Sequence, residues 1–176
     1  MKKILSSLFL AVSAALFSAS ALAGNVAEVL NAFGGLIGTY SSTSEALSAI
    51  HDGADGSTLR LLAECGASIG GDFGKSFTLD LNGFTLHVTK TSQYFIGIND
   101  GETVTIKNGK MDWASTCNYI VNLKGGTLNM EDVTITSSVA NPDIMQTGGT
   151  ATIKDCVFGG DSRSVMGVYV DGGVGT

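Results

Sequence analysis

The chain has 176 residues, of which 44% are hydrophobic and 15% are charged, and it contains 24 glycines and a single proline. The length admits one domain, and the hydrophobic fraction argues against a disordered chain. The formal net charge of −6 disfavours a nucleic-acid binder, because such proteins present a basic face.

The N-terminal segment has the features of a cleaved export signal. Lys2 and Lys3 precede an apolar or small stretch at residues 4–22, and Ala21-Leu22-Ala23 places small residues where a signal peptidase reads them. We expect cleavage before Gly24, which removes residues 1–23 and yields a secreted, periplasmic or cell-surface bacterial protein. Loss of two of the ten basic residues and none of the sixteen acidic ones leaves a net charge of −8. The alternative is an uncleaved membrane anchor, since the stretch approaches the roughly 20 residues that span a bilayer.

The sequence contains three cysteines, Cys65, Cys117 and Cys156. Export permits disulfides, but an odd number leaves at least one thiol unpaired within a monomer. Their pairing stays open at this point. Cys156 lies in the apolar alternation TIKDCVF and is interpreted as a small buried hydrophobic residue.

Two short helices are predicted near the mature N-terminus. Residues 25–33 (NVAEVLNAF) carry apolar side chains at helical spacing. Residues 43–52 predict a second helix, because Ser42 and Glu45 form a capping box and Gly53 follows the last turn. Residues 24–57 are therefore interpreted as an N-terminal helical cap.

From Thr58 onward the pattern changes from helical to alternating, and it repeats. Apolar pairs five positions apart recur every 23 to 25 residues: Leu81 and Leu86, Ile106 and Met111, Met130 and Ile135, Ile153 and Phe158. A second apolar stripe consists of Ile98, Leu123, Met145 and Val170, and it leads into glycine turns. Repeats of this length with short strands and glycine turns are typical of coils that stack on one another.

The repeats predict a parallel β-helix over residues 58–176, with about five coils at a spacing of roughly 4.8 Å. Leu81, Ile106, Met130 and Ile153 are expected to form one buried ladder. The helix at residues 43–52 is expected to cap the N-terminal end, where unpaired strand edges invite aggregation. At the other end, the sequence DGGVGT resembles earlier turns that lead into a strand. We expect either a truncated piece of a longer protein or a last coil covered by a stacking partner.

The stretches KSFTLDLNGFTL and TVTIKNGKM resemble the repeats of right-handed parallel β-helix proteins of the pectin-lyase-like group, and most closely those of exported bacterial surface proteins of the autotransporter type. The similarity covers roughly residues 43–176. It implies a right-handed all-β solenoid, an architecture that hosts many functions. It also implies that enzymes of this group would carry clustered aspartates on an outer face.

We find no such catalytic cluster in the sequence. Asp80 is expected to face outward, but its repeat equivalents are interpreted as Thr105, Asn129 and Thr152, so no carboxylate pair forms for glycoside hydrolysis. No catalytic residue is therefore assigned.

Other catalytic motifs receive no support. The sequence Gly66-Ala67-Ser68-Ile69-Gly70 matches G-x-S-x-G, but a strand rather than a helix is expected to follow it. His51 is interpreted as a helix C-terminal residue and His87 as an outward strand residue. Motifs for zinc, nucleotides and dinucleotides are absent from the sequence.

Polar turn residues supply a candidate metal site. Asn108, Asp132 and Asp155 occupy the same turn phase, with Asn82 offset by one. Stacked aspartates repel unless backbone N–H groups, solvent or a cation compensates. A weak calcium site at Asp132 and Asp155 is one hypothesis, since calcium prefers oxygen ligands. Ordinary turns satisfied by the backbone are the other.

Aromatic residues supply a candidate ligand-binding face. Tyr94 and Tyr119 share a repeat phase, and Trp113 is predicted to lie in a nearby loop. Exposed aromatic rings bind sugar faces, although stacked aromatics also stabilise β-helices. Both interpretations stay open here.

The leading expectation is a non-catalytic, exported β-helix surface protein or adhesin-like fragment that contacts extracellular glycans or proteins. The alternative is a polysaccharide lyase or glycoside hydrolase of the pectin-lyase-like group. No cofactor other than calcium is expected. We expect no nucleic-acid partner and no membrane span after signal cleavage.

Overall fold

The computed structural model describes residues 24–89, 93–113, 117–138, 141–160, 167–172 and 174–175. The expected signal segment, residues 1–23, lies outside this part of the chain. Among the described residues, no helix is both long and apolar enough to cross a membrane.

Short strands dominate the chain, with one helix near its N-terminal end. In order, the elements are β1 Ala27–Leu30, β2 Leu36–Tyr40, α1 Thr43–Asp52, β3 Ser57–Leu61, β4 Cys65–Ala67, β5 Gly71–Asp72, β6 Phe77–Asp80, β7 Thr85–Val88, β8 Tyr94–Ile98, β9 Thr103–Trp113, β10 Tyr119–Leu123, β11 Thr127–Ser137, β12 Ile144–Gln146, β13 Thr150–Lys154, β14 Val157–Gly160, β15 Val168–Val170 and β16 Val174–Gly175.

The strands form two sheets that wind around a common core. The first has the order β16-β13-β11-β9-β6-β3-β1-β2, with β14, β7 and β4 beside it, and the second has the order β15-β12-β10-β8-β5. In the part of the chain that the structure describes, every pair formed among strands β3 to β16 is parallel. The chain is a parallel β-solenoid of about four turns, which confirms the all-β class. The sequence predicted about five coils, and the structure has about four turns.

The central apolar ladder follows the predicted register. Met130 lies opposite Ile106 on one side and Ile153 on the other. The companion ladder is also confirmed, with partners in the order Leu86, Met111, Ile135 and Phe158. Ile106 and Met130 are almost completely buried, so inward side chains of successive coils pack on one another as the repeat requires.

Leu81 is the exception to the predicted ladder. Leu79, not Leu81, lies opposite Ile106, and Leu59 lies opposite Leu79. The prediction was wrong by two residues, because the turn after β6 is two residues longer than the equivalent turn within β9. Leu81 is still fully buried. The Leu81 side chain packs over Gly109. A Cβ atom added at Gly109 would lie 2.7 Å from the Cβ of Leu81, so only glycine fits there.

The second apolar stripe needs a correction of one residue. Leu123 lies opposite Ile98 as predicted, but its partner on the other side is Gln146. Met145 lies opposite Asn122 on the outer face. The sequence predicted Met145 at this position because it is the apolar residue nearest the expected spacing. The residue that lies there is a glutamine, which the apolar pattern does not reveal. Gln146 is fully buried, and its Nε2 donates to the Gly149 carbonyl at 3.2 Å.

The helix predicted at residues 43–52 is confirmed. The Ser42 hydroxyl accepts from the Glu45 N–H at 3.2 Å and thereby caps the first turn. Ala46, Leu47 and Ile50 are fully buried against the first strands, so α1 covers the N-terminal end of the core.

The helix predicted at residues 25–33 is wrong, because this segment forms strand β1. β1 pairs antiparallel with β2 and with β3. Ala27 and Val29 point into the core with no exposed surface, while Glu28 between them is half-buried. Pairing with β1 satisfies the backbone edge of β3, and this outweighs the weak helical preference of a nine-residue segment.

One row of the first sheet is a ladder of alternating charge. Its members, in spatial order, are Glu28, Arg60, Asp80, Lys107, Glu131 and Lys154. Arg60 lies 3.0 Å from Glu28 and 3.6 Å from Asp80, and Lys107 lies 4.0 Å from Asp80. Lys154 also pairs with Glu131. Opposite charges directly across from each other stabilise a sheet, and like charges destabilise it.

This ladder corrects the expectation for Asp80. Its neighbours are Arg60 and Lys107, whereas Thr105 lies opposite Thr78. The carboxylate is nearly buried and also accepts from the Asn82 N–H and the Asn108 amide, both at 3.1 Å. Asp80 therefore holds three adjacent coils together.

Candidate ligand-binding surface

The second sheet brings Tyr94 and Tyr119 together on neighbouring coils. Tyr94 in β8 is the parallel partner of Tyr119 in β10, so their Cα atoms lie one coil spacing apart, roughly 4.8 Å. Both residues are half-buried. We call this area, with Asp72 and Lys124, the tyrosine surface.

Tyr94 is held in place by a cluster that joins three coils. The Lys124 ammonium donates to the Tyr94 hydroxyl at 2.8 Å and to the Asp72 carboxylate at 2.8 and 3.0 Å. The Tyr94 hydroxyl in turn donates to Asp72 at 3.0 Å. The ammonium also lies 4.7 Å from the centre of the Tyr94 ring, a cation–π geometry. The orientation of the ring is therefore fixed before any ligand arrives.

The cluster also sets the ionisation of its members. Partial burial opposes the charge on Asp72, but hydrogen bonds from Lys124 and Tyr94 hold the pKa of this carboxyl below its usual value. Burial likewise opposes the charge on Lys124, yet its bonds to Asp72 and Tyr94 raise the pKa of the ammonium. Both groups stay charged around neutral pH.

Gly97 makes the cluster sterically possible. It lies opposite Asp72 in the neighbouring coil. A Cβ at this position would lie 2.0 Å from the Asp72 carboxylate and 2.7 Å from the Tyr94 ring. The carboxylate therefore rests directly over the backbone of Gly97.

Trp113, the third predicted aromatic residue, lies inside the solenoid. It is 2% exposed, and its Nε1 donates to the Asp143 carboxylate at 2.7 Å. Trp113 ends β9 on the inward side of the strand, and so it is not part of the tyrosine surface. The indole N–H is the only hydrogen-bond donor of the side chain, and Asp143 accepts from it. The ring is therefore buried without an unsatisfied donor.

His87 forms a second polar cluster, on the first sheet. It lies on the outer face of β7, where its Nε2 is 2.7 Å from Glu64 and its Nδ1 is 2.7 Å from Asp112. Hydrogen bonds to Glu64 and then to Asp112 raise the pKa of the imidazole. With both ring nitrogens engaged, this histidine acts as a bridge between coils.

No protein-family model, curated protein or solved structure matches this chain.

The polar turn residues do align at one corner of the solenoid. Asn82, Asn108, Asp132 and Asp155 all have left-handed backbone conformations, with φ between 50 and 61°. Asparagine and aspartate tolerate this conformation better than other non-glycine residues. Asp132 and Asp155 are exposed, and Lys154 lies 3.6 Å from Asp155.

The calcium hypothesis for this corner stays a prediction. Among the residues that the structure describes, no group of three or more His, Cys, Asp or Glu side chains is arranged to hold a metal ion. The pair Asp132 and Asp155 would need solvent or backbone ligands to complete a calcium shell.

The three cysteines differ in burial, and Cys117 lies two residues before Tyr119. Cys65 and Cys156 are free thiols and half-buried, and Cys117 is buried. Burial raises the pKa of the Cys65 thiol, although a hydrogen bond from Thr43 at 3.0 Å counteracts this effect. Burial also raises the pKa of Cys156. Both thiols are therefore poor nucleophiles at neutral pH.

Proposed function

We propose that this chain is an exported, non-catalytic β-helix protein of the pectin-lyase-like architecture whose tyrosine surface binds extracellular glycans. The observation that carries the proposal is the pairing of Tyr94 with Tyr119 on adjacent coils, with Tyr94 fixed by Lys124 and Asp72. Aromatic rings offer an apolar face to the C–H side of a sugar, while their hydroxyl groups satisfy polar neighbours.

The rigidity of the surface supports this proposal. A ligand that binds a pre-arranged ring does not have to order it, so less binding free energy is lost. Lys124 and Asp72 add donors and acceptors for sugar hydroxyls at the edge of the rings. Parallel strands on neighbouring coils hold these groups on a continuous backbone scaffold, as recognition of an extended polymer requires.

A glycan-binding assay with matched variants tests the proposal. The purified protein is applied to a panel of neutral and acidic oligosaccharides, and the variants are Tyr119→Ala and the control Phe33→Ala. Phe33 is 97% exposed in the turn between β1 and β2, which belong to the first sheet, whereas the tyrosines lie on strands of the second. We expect Tyr119→Ala to weaken binding about tenfold or more, as loss of an aromatic anchor does, and Phe33→Ala to leave it unchanged.

Three outcomes contradict the proposal. Binding that is insensitive to Tyr119→Ala places the ligand elsewhere, and binding of a protein instead of any glycan assigns the surface to a different partner. Release of reducing ends or unsaturated sugars by the purified protein makes it an enzyme, in line with the alternative considered from the sequence.

The export proposal has its own test. N-terminal sequencing of the mature protein from the producing cell is expected to begin at Gly24, with the protein recovered outside the cytoplasm. Recovery of the chain with Met1 intact and inside the cell contradicts it.

A further inference from the structure

The outer face of the first sheet carries a regular array of threonine side chains. One column consists of Thr103, Thr127 and Thr150, which are direct partners in β9, β11 and β13. A second column lies two residues further along the strands and consists of Thr58, Thr78, Thr105, Asn129 and Thr152. We call the two columns together the threonine face.

The backbone fixes the spacing of the threonine face in both directions. Neighbouring coils lie roughly 4.8 Å apart, and two residues along a strand span roughly 6.6 Å. The register between neighbouring strands from β3 to β13 has no shift in this part of the sheet, so the two columns stay aligned from coil to coil. Threonine is branched at Cβ and has few χ1 rotamers. Its hydroxyl and methyl groups therefore follow the spacing of the backbone.

The hydroxyl groups of this face are open to contacts outside the chain. Thr103, Thr150 and Thr152 are exposed, and Thr105 and Thr127 are half-buried. Among the residues that the structure describes, no hydrogen-bond partner is found for any of these five side chains. The face therefore offers an outside molecule unused donors and acceptors together with methyl groups.

The preference of threonine for strands does not account for this distribution. Threonine is favoured in β-strands generally, so this preference alone would place it in both sheets. Among the described strands, the five of the second sheet contain no threonine. The array is therefore a property of one face of the solenoid and not of its strands in general.

The charged ladder runs beside the threonine face, and its charges are paired within it. Lys107 lies 4.0 Å from Asp80, and Lys154 pairs with Glu131. These ion pairs join neighbouring coils and run in the same direction as the threonine columns. The columns themselves are uncharged, so the partner that suits them is a neutral surface with a regular repeat.

From the spacing, the rigidity and the unused hydroxyl groups we infer a further activity: the threonine face binds ice. The surface of an ice crystal is a neutral lattice of donors and acceptors, with repeats close to both spacings of this face. Each threonine hydroxyl both donates and accepts, so it can hold a water molecule at a lattice position. Many such contacts on one rigid face act together, and little ordering free energy is lost when they form. This activity does not depend on the proposed glycan binding, which uses the second sheet.

Inhibition of ice recrystallisation by the purified protein tests the inference, with thermal hysteresis as a second readout. We expect the unaltered chain to inhibit the growth of ice grains where an equal concentration of serum albumin does not. Thr127→Lys places a long charged side chain between Thr103 and Thr150. It is expected to raise the concentration required for inhibition about tenfold, because it holds the ice surface away from the neighbouring hydroxyls.

The same substitution elsewhere on β11 supplies the matched control. Thr136 is also exposed, but its partners are Asp112 and Gly159, so it lies outside the threonine face. Thr136→Lys changes the net charge equally and is expected to keep full inhibition. Thr152→Lys, at an exposed position in the second column, is expected to weaken inhibition as Thr127→Lys does and repeats the test at a less buried site. Thermal unfolding of all three variants shows that they are folded.

The outcomes also separate ice binding from glycan binding. Tyr119→Ala is expected to leave the inhibition of recrystallisation unchanged. An unaltered chain that acts on ice no more than serum albumin overturns the inference, as does equal inhibition by Thr127→Lys, Thr152→Lys and Thr136→Lys. Retention on crystalline cellulose that is lost in Thr127→Lys, without any effect on ice, assigns the face to a polysaccharide surface and likewise overturns it.

Discussion

Trp113 and Asp143 are joined by a hydrogen bond inside the solenoid, with Nε1 and Oδ1 2.7 Å apart. Asp143 has no exposed surface, and its second carboxylate oxygen has no hydrogen-bond partner among the residues that the structure describes. A buried carboxylate with one satisfied oxygen is costly when ionised. Burial raises the pKa of Asp143 to about 6, against the lowering effect of the Trp113 bond.

The stability of the protein is therefore expected to depend on the ionisation of Asp143. Because the folded state holds the proton more tightly than the unfolded state, its contribution is complete below pH 3.8 and is lost as the pH rises through about 6. The loss amounts to about 3 kcal/mol in the free energy of unfolding. Asp143→Asn is expected to remove this dependence, as measured by urea unfolding at pH 4, 5, 6 and 7. Asp171→Asn, at an exposed position, is the control and is expected to show the same pH dependence of the free energy of unfolding as the unaltered chain. If Asp143→Asn shows that same pH dependence, Asp143 is not its source.

The bridge at His87 predicts a pH effect in another range. Glu64 and Asp112 raise the pKa of the imidazole, so the stabilisation is complete below pH 6.5 and is lost as the pH rises through the elevated pKa. Since the side chains are about half exposed, the effect on unfolding is less than about 1 kcal/mol. NMR titration of the His87 ring is expected to show the pKa fall in the double variant Glu64→Gln, Asp112→Asn, but not in Glu45→Gln. If the pKa of His87 is equal in the unaltered chain, the double variant and Glu45→Gln, the bridge is contradicted.

The alternating charge ladder predicts the effect of reversing one member. Lys107→Glu places three acidic side chains in a row, because Asp80 and Glu131 lie on either side. We expect a loss of about 1–2 kcal/mol in the free energy of unfolding, reduced in 1 M salt. Thr105→Glu is the control, since its neighbours Thr78 and Asn129 are uncharged, and it is expected to change stability by less than about 0.5 kcal/mol. Equal effects of the two substitutions show that the ladder contributes nothing.

Gly97 offers a direct test of the cluster that fixes Tyr94. Gly97→Ala is expected to displace the Asp72 carboxylate and cost about 1–3 kcal/mol, because the added methyl overlaps it at 2.0 Å. Gly66→Ala is a matched control on the first sheet, where the nearest atom would be 3.7 Å away. Thermal unfolding compares the two. A Gly97→Ala protein as stable as Gly66→Ala contradicts the close approach of Asp72.

The solenoid was readable from the sequence because its coils repeat apolar positions at near-constant spacing. Ile106, Met130 and Ile153 illustrate this, since each sits five residues before a second inward position. The same five-residue step separates Leu81 from Leu86, and it led to the wrong prediction for Leu81. In the structure the turn around Asn82 and Gly83 is two residues longer than the equivalent turn in β9, so that Leu79 lies opposite Ile106. Apolar identity alone does not reveal the length of a turn.

That shift also hid the charge ladder. With Leu81 in place of Leu79, Asp80 was aligned with threonines and asparagine, and its opposite-charge partners Arg60 and Lys107 were missed. The alternation of charge along Arg60, Asp80 and Lys107 is a second signal in the sequence, and it agrees with the observed register.

The candidate site was partly readable. Tyr94 and Tyr119 were matched by phase, and the structure pairs them. Trp113 was predicted to lie beside them in a loop, whereas it is the last residue of β9 and is buried with its Nε1 on Asp143, thirty residues away along the chain. Lys124 and Asp72 were missed as partners, since they lie 52 residues apart and meet only once the coils are stacked.

Cysteine cross-linking between β6 and β9 tests the central claim, the stacking register of the coils, most directly. Thr78 lies opposite Thr105, and the roughly 4.8 Å between parallel neighbours suits a disulfide. In the alternative register, with Leu81 opposite Ile106, Thr78 would face Thr103, which the observed register places roughly 8 Å away. After oxidation and peptide mapping, we expect a cross-link in Thr78→Cys, Thr105→Cys and none in Thr78→Cys, Thr103→Cys. The reverse result contradicts the register and the charge ladder with it.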